Sequence, residues 1–427
     1  MNKNVLVGAV LTTAIAGTLS ACGSSSDDSS KSTAADAKQP SGQLRVLLES
    51  SRKAGFESVL PGFKQKYPGV KLNVQYVPSA QAGTLIRTQL ASGGGPDVFF
   101  TRPGSADAAA VLPLAQAGRV QDLSSRPWAK DVLGIAKPLI TANGKIYAWP
   151  LDTSIAAILY NKTLYQQYGL TPATTFSELL AQCKQVAAKG KYLLSTNVVS
   201  YPAGWSAELV SAAEPDFIEQ RKANKVTFAG DKGWTAVFDH TKAMNDARCL
   251  GRSPQTVQTL DQSMQELAQG KALSVMATPN QLGTASTALG KKGEIGLAPL
   301  PGDTAESQII ASTPSAALSI NAHAKNLPAA DAFLDYLASP SASRQFAEAN
   351  QSVSPYDINA GKYPADFAPF QKLIDADRVA VSNFGLFQSP DVALAAATGA
   401  AGVLTGQMST EQVLKTMDQA WDKGPVG

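Results

Sequence analysis

The chain is poor in the residues that carry most protein chemistry. It has only two histidines, His240 and His323, and neither stands in an H-E-x-x-H pattern. Its three cysteines form no C-x-x-C pair, so the ligand spacing of a zinc site is missing and no metal is expected. No G-x-G-x-x-G, P-loop or G-x-S-x-G occurs, which removes the usual signatures of dinucleotide binding, nucleotide hydrolysis and α/β-hydrolase chemistry. Gly93-Gly94-Gly95 reads as a helix stop before a strand. Ser50-Ser51-Arg52-Lys53 fits S-x-x-K, the pattern of penicillin-recognising serine enzymes, but S-D-N and K-T-G are absent. Excess charge of one sign is also lacking: 37 basic residues face 34 acidic ones, with no basic block, so no nucleic-acid partner is expected. Beyond residue 19 no long apolar run remains to span a membrane. The expectation is a protein without cofactor and without enzymatic activity.

What is present begins at the N-terminus. Lys3 precedes an apolar run over residues 5–19, about 22 Å as a helix and short of the roughly 30 Å hydrocarbon core. With the small residues that follow, it reads as a secretory signal peptide, residues 1–21. Leu19-Ser20-Ala21-Cys22 resembles a bacterial lipobox, which implies cleavage before Cys22 and lipidation of its sulfur. Residues 23–41 contain no large apolar side chain and read as a flexible linker. The expected location is the outer face of the cell membrane, held there by an N-terminal lipid.

The remaining residues exceed one ordinary core, so two domains are expected. Strand-like 44–48, helical 56–67, alternating 70–76, helical 85–91 and strand-like 97–100 give βαβαβ, a parallel sheet with helices on its faces. Ligands of such sheets sit at the carboxyl ends of strands, here residues 49–53 and 101–104. Further on, 145–149 reads as a strand interrupted by Pro150, and 153–161 as another. With Cys22 lipidated, Cys183 and Cys249 are left, an even number in an oxidising compartment. A bridge between them is expected, with two separate buried thiols as the alternative. Trp128, Trp234 and Trp421 continue packing patterns and read as core. Trp149 and Trp205 fall at breaks in periodicity, where an aromatic face suits the C–H face of a sugar.

Several blocks together resemble a known family: 95–100, 144–170 (GKIYAWPLDTSIAAILYNKTLYQQYGL), 267–279 (LAQGKALSVMATP), GEIGLAPLPGD, and the stretch SAALSINAHAKNLPAADAFLDYLASPSASRQFAEAN. In this order, behind a lipobox, the chain is similar to extracellular solute-binding proteins of the sugar-specific group that includes maltose-binding protein. That resemblance implies a two-lobed α/β fold, each lobe a sheet with helices on both faces, joined by crossing strands that act as a hinge. Lobe 1 is placed at 42–150 and 298–340, lobe 2 at 151–297 and 341–427, with crossings near 150–152, 294–297 and 339–344. It also implies a monomer that captures a small solute, a sugar foremost, and delivers it to the transmembrane permease subunits of an ABC importer. Phosphate esters, polyamines and iron complexes are the alternative solutes; an anchored serine enzyme and a structural lipoprotein are the alternative classes.

Carried over position by position, the resemblance implies ligand contacts at Glu49, Ser51, Arg52, Thr101, Arg102, Trp149, Asp152, Ser154, Tyr201, Trp205, Asn280, Thr313 and Phe384. Ser312 and Phe387 border that set. Asn280 stands where maltose-binding relatives carry an aromatic, a departure that argues against maltodextrin. Asp97 is read as ordering its own turn.

Overall fold

The computed structural model describes residues 39–424 except 106–108, 132–135, 198–199, 252–253, 258 and 359–364, and leaves undescribed the side chains of Ser79, Ala80, Ser154, Thr313, Ile358, Ala365 and Asp366. The signal segment, Cys22 and nearly all of the linker lie outside the described residues.

Twelve strands are described: β1 Gly42–Glu49, β2 Val70–Val77, β3 Val98–Thr101, β4 Thr141–Ala142, β5 Lys145–Ile146, β6 Trp149–Ile155, β7 Ala157–Asn161, β8 Tyr192–Ser195, β9 Ala272–Ala277, β10 Ile295–Ala298, β11 Ile310–Ile320 and β12 Val379–Val381. One sheet has the order β12-β11-β3-β1-β2, with β6 also paired to β11; a second has the order β10-β7-β9-β8; β4 and β5 form a small hairpin. β1 runs parallel to both β2 and β3, as the βαβαβ reading requires. Its Leu44, Val46, Leu47 and Leu48 are all buried, because helices cover both faces of a parallel strand. The Lys53–Lys66 helix buries Phe56, Val59, Leu60 and Phe63, one apolar stripe at i, i+3, i+4, i+7.

The chain passes from the first sheet to the second between β6 and β7. β6 pairs antiparallel with β11 as far as Ile155, the chain breaks at Ala156, and β7 enters the second sheet. The single strand expected over 153–161 is thus two. Pro150 does not interrupt β6; it pairs with Ala317 of β11 on one side only, where its missing N–H breaks no second ladder.

The crossing placed at 294–297 moves downstream. β10 is hydrogen-bonded to β7 in the second sheet, and Ala298 and Leu300 join the second core. The chain is back in the first sheet at β11, which pairs with β12 at Ile310–Ser312 and with β3 at Ala317–Ile320, while its Ile310 packs with Leu159 and Val275 of the second sheet. The crossing at 339–344 also moves: Ala342 and Phe346 pack in the first core, and the chain returns near Val353, which bridges Thr153 of β6. Turn and strand signals mark where a strand lies, but not which sheet accepts its hydrogen bonds.

Cys183, on the Phe176–Ala187 helix, and Cys249 are bonded, with Cα atoms 4.5 Å apart, inside the second core. Trp128, Trp234 and Trp421 are buried packing residues.

Candidate functional site

At the carboxyl end of β1 the chain makes a 3-10 turn, Ser50–Arg52, which turns Arg52 inward. Arg52 is 5% exposed and Asp152, on β6, is fully buried. The Arg52 guanidinium donates to Asp152 through Nε (3.1 Å) and Nη2 (3.4 Å), to Glu49, and to Ser315 Oγ of β11 (2.6 Å). Ser315 Oγ donates in turn to Asp152 (2.7 Å), and Asn350 Nδ2 donates to the same carboxylate (2.9 Å). Asp152 therefore gathers donors from the turn after β1, from β11 and from the end of the Pro340–Ala349 helix. Burial alone would lower the Arg52 pKa, but Asp152 and Glu49 outweigh it and hold the guanidinium above its ordinary value. Arg102 is partly exposed, with Nη2 3.9 Å from Glu49 and its guanidinium over the Phe100 ring. The cluster thus has two cations and two carboxylates.

Beside it, a cavity of about 240 Å³ opens at the hinge. Ile155, Ala156, Ala311 and Ser315 contribute from the crossing strands; Ser200, Gly204, Met276, Thr278 and Ser382 contribute from the second lobe. Ser315 belongs to both the cavity wall and the ionic cluster. A larger recess of about 530 Å³, with Asp216, Glu219, Asp377 and Arg378 in its wall, touches neither the cluster nor the carboxyl end of β1. The smaller cavity is the candidate binding site.

Several positions expected to contact ligand are buried in the cores. Trp149 is 1% exposed, with its ring against Trp128 (5.1 Å, edge-on) and Tyr356. Alternation along β6 sends it into the first core while Asp152 faces the cluster. Residues 201–205 are helix rather than loop, part of Ser200–Ala213; Pro202 is tolerated because the first turn needs no intrahelical N–H donor. Tyr201 and Trp205, one turn apart, stack on each other in the second core, and Tyr201 OH donates to Met244 Sδ at 3.3 Å. The indole N–H groups of Trp149 and Trp205 find no acceptor among the described residues, a cost that aromatic burial outweighs. Phe384 and Phe387 pack on each other and on Trp234 rather than lining a rim.

The other expected positions divide. Glu49, Arg52 and Asp152 meet, but bind one another. Ser51 is exposed, and its Oγ accepts from Arg52 (3.4 Å). Thr101 is buried in the first sheet against Ser319 Oγ (3.1 Å). Ser312 is buried in β11. Asn280, in a short 3-10 turn, accepts from the Thr278 hydroxyl, and Thr278 is the one that lines the cavity. Ser154 and Thr313 face each other in backbone register, with side chains outside the described residues. Asp97 orders more than its own turn: it accepts from Arg45 N (2.9 Å) and Lys325 N (2.7 Å). Burial pushes its pKa up, but these bonds and the Arg45 side chain outweigh that and hold it below the usual carboxylate value.

Sequence reasoning missed Ser200, Met276, Thr278, Ser315 and Ser382. Each lies within four residues of a chosen position, so the segment was readable and the face was not. Among the described residues no group of three or more histidine, cysteine or acidic side chains could hold a metal.

Two α/β lobes meet at the crossing strands, with a cavity at the joint. Residues 49–344 match the bacterial extracellular solute-binding protein family, and the chain belongs to it. It is 22% identical over 336 residues to the multiple sugar-binding protein of Streptococcus mutans, covering 70% of this chain and 71% of that one. It is 20% identical to the melibiose/raffinose/stachyose-binding protein of Bacillus subtilis over 162 residues, 38% of this chain and 36% of the relative. Among solved structures, the GacH receptor of Streptomyces glaucescens, known unliganded and with acarbose, superposes with a TM-score of 0.74 at 20% identity, covering 90% of this chain and 98% of that one. A solute-binding protein of Thermotoga lettingae bound to α-D-tagatose gives 0.74 at 18%, covering 90% and 99%. At these identities the likeness to solved structures establishes the two-lobed fold.

Proposed function

We infer that this protein is the capture component of an ATP-driven carbohydrate importer. It is exported, anchored through lipid at Cys22, and takes a mono- or oligosaccharide at the hinge cavity for delivery to a membrane permease. It works as a monomer without catalysis or cofactor. The observation that carries the reading is the family match over 49–344 together with an uncharged hinge cavity that presents the hydroxyls of Ser200, Thr278, Ser315 and Ser382. Relatives named for sugars point the same way. Closure by bending at β6 and β11 would seal the sugar from water, and the cluster at Asp152 would keep the crossing strands in register during that motion.

The test is a thermal-shift and calorimetric screen of residues 42–427 against galactose, tagatose, melibiose, raffinose and acarbose. A ligand at 100 times its Kd adds about 2.7 kcal/mol of stability. Saturable binding of one of these supports the reading. Binding of a phosphate ester, polyamine or iron chelate with no response to any sugar overturns it. Separately, Cys22→Ala should release the protein from membranes or leave an unprocessed precursor there; unchanged anchoring of a mature form would refute the lipid tether.

A further inference from the structure

The wall chemistry of the hinge cavity is unusual for a sugar seat. Eight of its twelve described lining residues are glycine, alanine, isoleucine, leucine or methionine, and the other four carry hydroxyls. Among the described lining residues there is no aromatic ring and no charged side chain.

Two consequences follow. First, a charged ligand group in the cavity meets no counter-charge on the wall. The ionic groups bonded to Ser315 of the wall are engaged with one another: Arg52 with Asp152 and Glu49, and Arg102 with Glu49. An ion moved out of water without a partner is strongly disfavoured. Second, a fully hydroxylated pyranose carries hydroxyls all around its ring. Enclosed here, it turns at least one toward Ile155, Leu260 or Met276, which offer no strong hydrogen-bond partner. One unpaired buried hydroxyl removes about tenfold in affinity or more. A flat C–H face finds no ring to stack on, whereas a methyl group fits an aliphatic recess.

Met276 lines that recess. It is 3% exposed, and the Ser200–Ala213 helix presses on it at Gly204, where a Cβ would stand 3.0 Å from the Met276 sulfur. The thioether is thereby held against the cavity, with Ser200, Thr278, Ser315 and Ser382 supplying the hydroxyl partners.

We propose that the site selects a neutral saccharide presenting a deoxygenated, methyl-bearing edge, a 6-deoxyhexose unit, with Met276 as the specificity-determining residue that seats the methyl. This rests on the carbohydrate reading and narrows it.

The experiment is calorimetry on the wild-type protein with matched pairs: D-fucose against D-galactose, L-fucose against L-galactose, and L-rhamnose against L-mannose. D-galacturonate, D-glucosamine and raffinose complete the panel. The expected result is one deoxy sugar bound at least tenfold more tightly than its hydroxylated parent, with no binding of the two charged sugars. Met276→Gln places an amide where the methyl rests. In protein shown to fold by circular dichroism, it should erase or reverse that preference, which a merely structural Met276 would not do. Equal or tighter binding of the parent in every pair, binding confined to raffinose or to charged sugars, or a Met276→Gln protein with unaltered preference overturns the proposal and leaves the carbohydrate reading standing. If no sugar binds at all, both fall.

Discussion

Asp152→Ala removes the acceptor on which the lobe joint converges. The carboxylate is fully buried and receives Arg52 twice, Ser315 once and Asn350 once. Without it Arg52 stays buried with Glu49 and the Ser315 hydroxyl as remaining partners. Removing one partner of a buried ion pair costs about 3–5 kcal/mol, because the other charge is stranded. The retained Glu49 contact places this case at roughly 3–4 kcal/mol of that range. Asp152→Asn keeps the shape and one acceptor oxygen, so it should cost less. Arg52→Met together with Glu49→Gln in the Asp152→Ala background should recover much of the loss, since the Glu49 carboxylate bound to Arg52 would otherwise lose that partner while buried. The assay is urea unfolding followed by both far-ultraviolet circular dichroism and tryptophan fluorescence, because two lobes can melt separately and coincident curves are needed for one free energy. A cost below about 1 kcal/mol for Asp152→Ala, or no recovery on adding Arg52→Met with Glu49→Gln, would refute the idea that this cluster holds the joint.

Further tests follow from the same geometry. Glu208 is buried with no hydrogen-bond partner for either oxygen among the described residues, and burial, then Asp303, pushes its pKa from 4.5 up to about 9. Between those values the folded state holds one proton more than the unfolded chain, so its contribution falls as pH rises, by at most about 1.4 kcal/mol per pH unit. Glu208→Gln should flatten the slope of stability between pH 5 and 9; an unchanged slope would show that Glu208 is ionised. Trp149→Ala and Trp205→Ala should each cost about 3–5 kcal/mol of stability, as Trp234→Ala should, and denaturation curves that left either unchanged would put these rings outside the core. Losing the Cys183–Cys249 bond, which closes 66 residues, should cost roughly 4 kcal/mol, read from melting of the Cys183→Ser/Cys249→Ser double variant. Gly104 has φ +84° in the loop after β3, and a Cβ there would stand 2.0 Å from the Gly385 carbonyl oxygen of the second lobe. Gly104→Ala should cost more than about 1 kcal/mol and enlarge the radius of gyration in solution scattering; wild-type values for both would refute the contact.

The sequence alone determined the parts whose signal is local. Apolar runs and alternation gave β1 to β3 and the helices between them, and the apolar stripe around Trp234 assigned that ring to the core. The family resemblance rested on the same local blocks, and it reached the lobed architecture. The tertiary structure decided everything that depends on which surface a segment turns toward. Tyr201 and Ser200 are adjacent, yet one is sealed in the second core and the other lines the cavity, because helix rotation follows from packing against Met244 and Met276 rather than from the five residues read as a loop. Trp149 and Asp152 share a strand, and pairing with β11 sent the aromatic inward and the carboxylate to Arg52, 100 residues away in the chain. The place of β11 was hidden for the same reason: an eleven-residue strand looks alike in either sheet, and its hydrogen-bond partners in the first sheet, β12 at one end and β3 at the other, are distant in sequence. Periodicity records that a residue is apolar or polar; which neighbour removes it from water is settled only when distant segments pack.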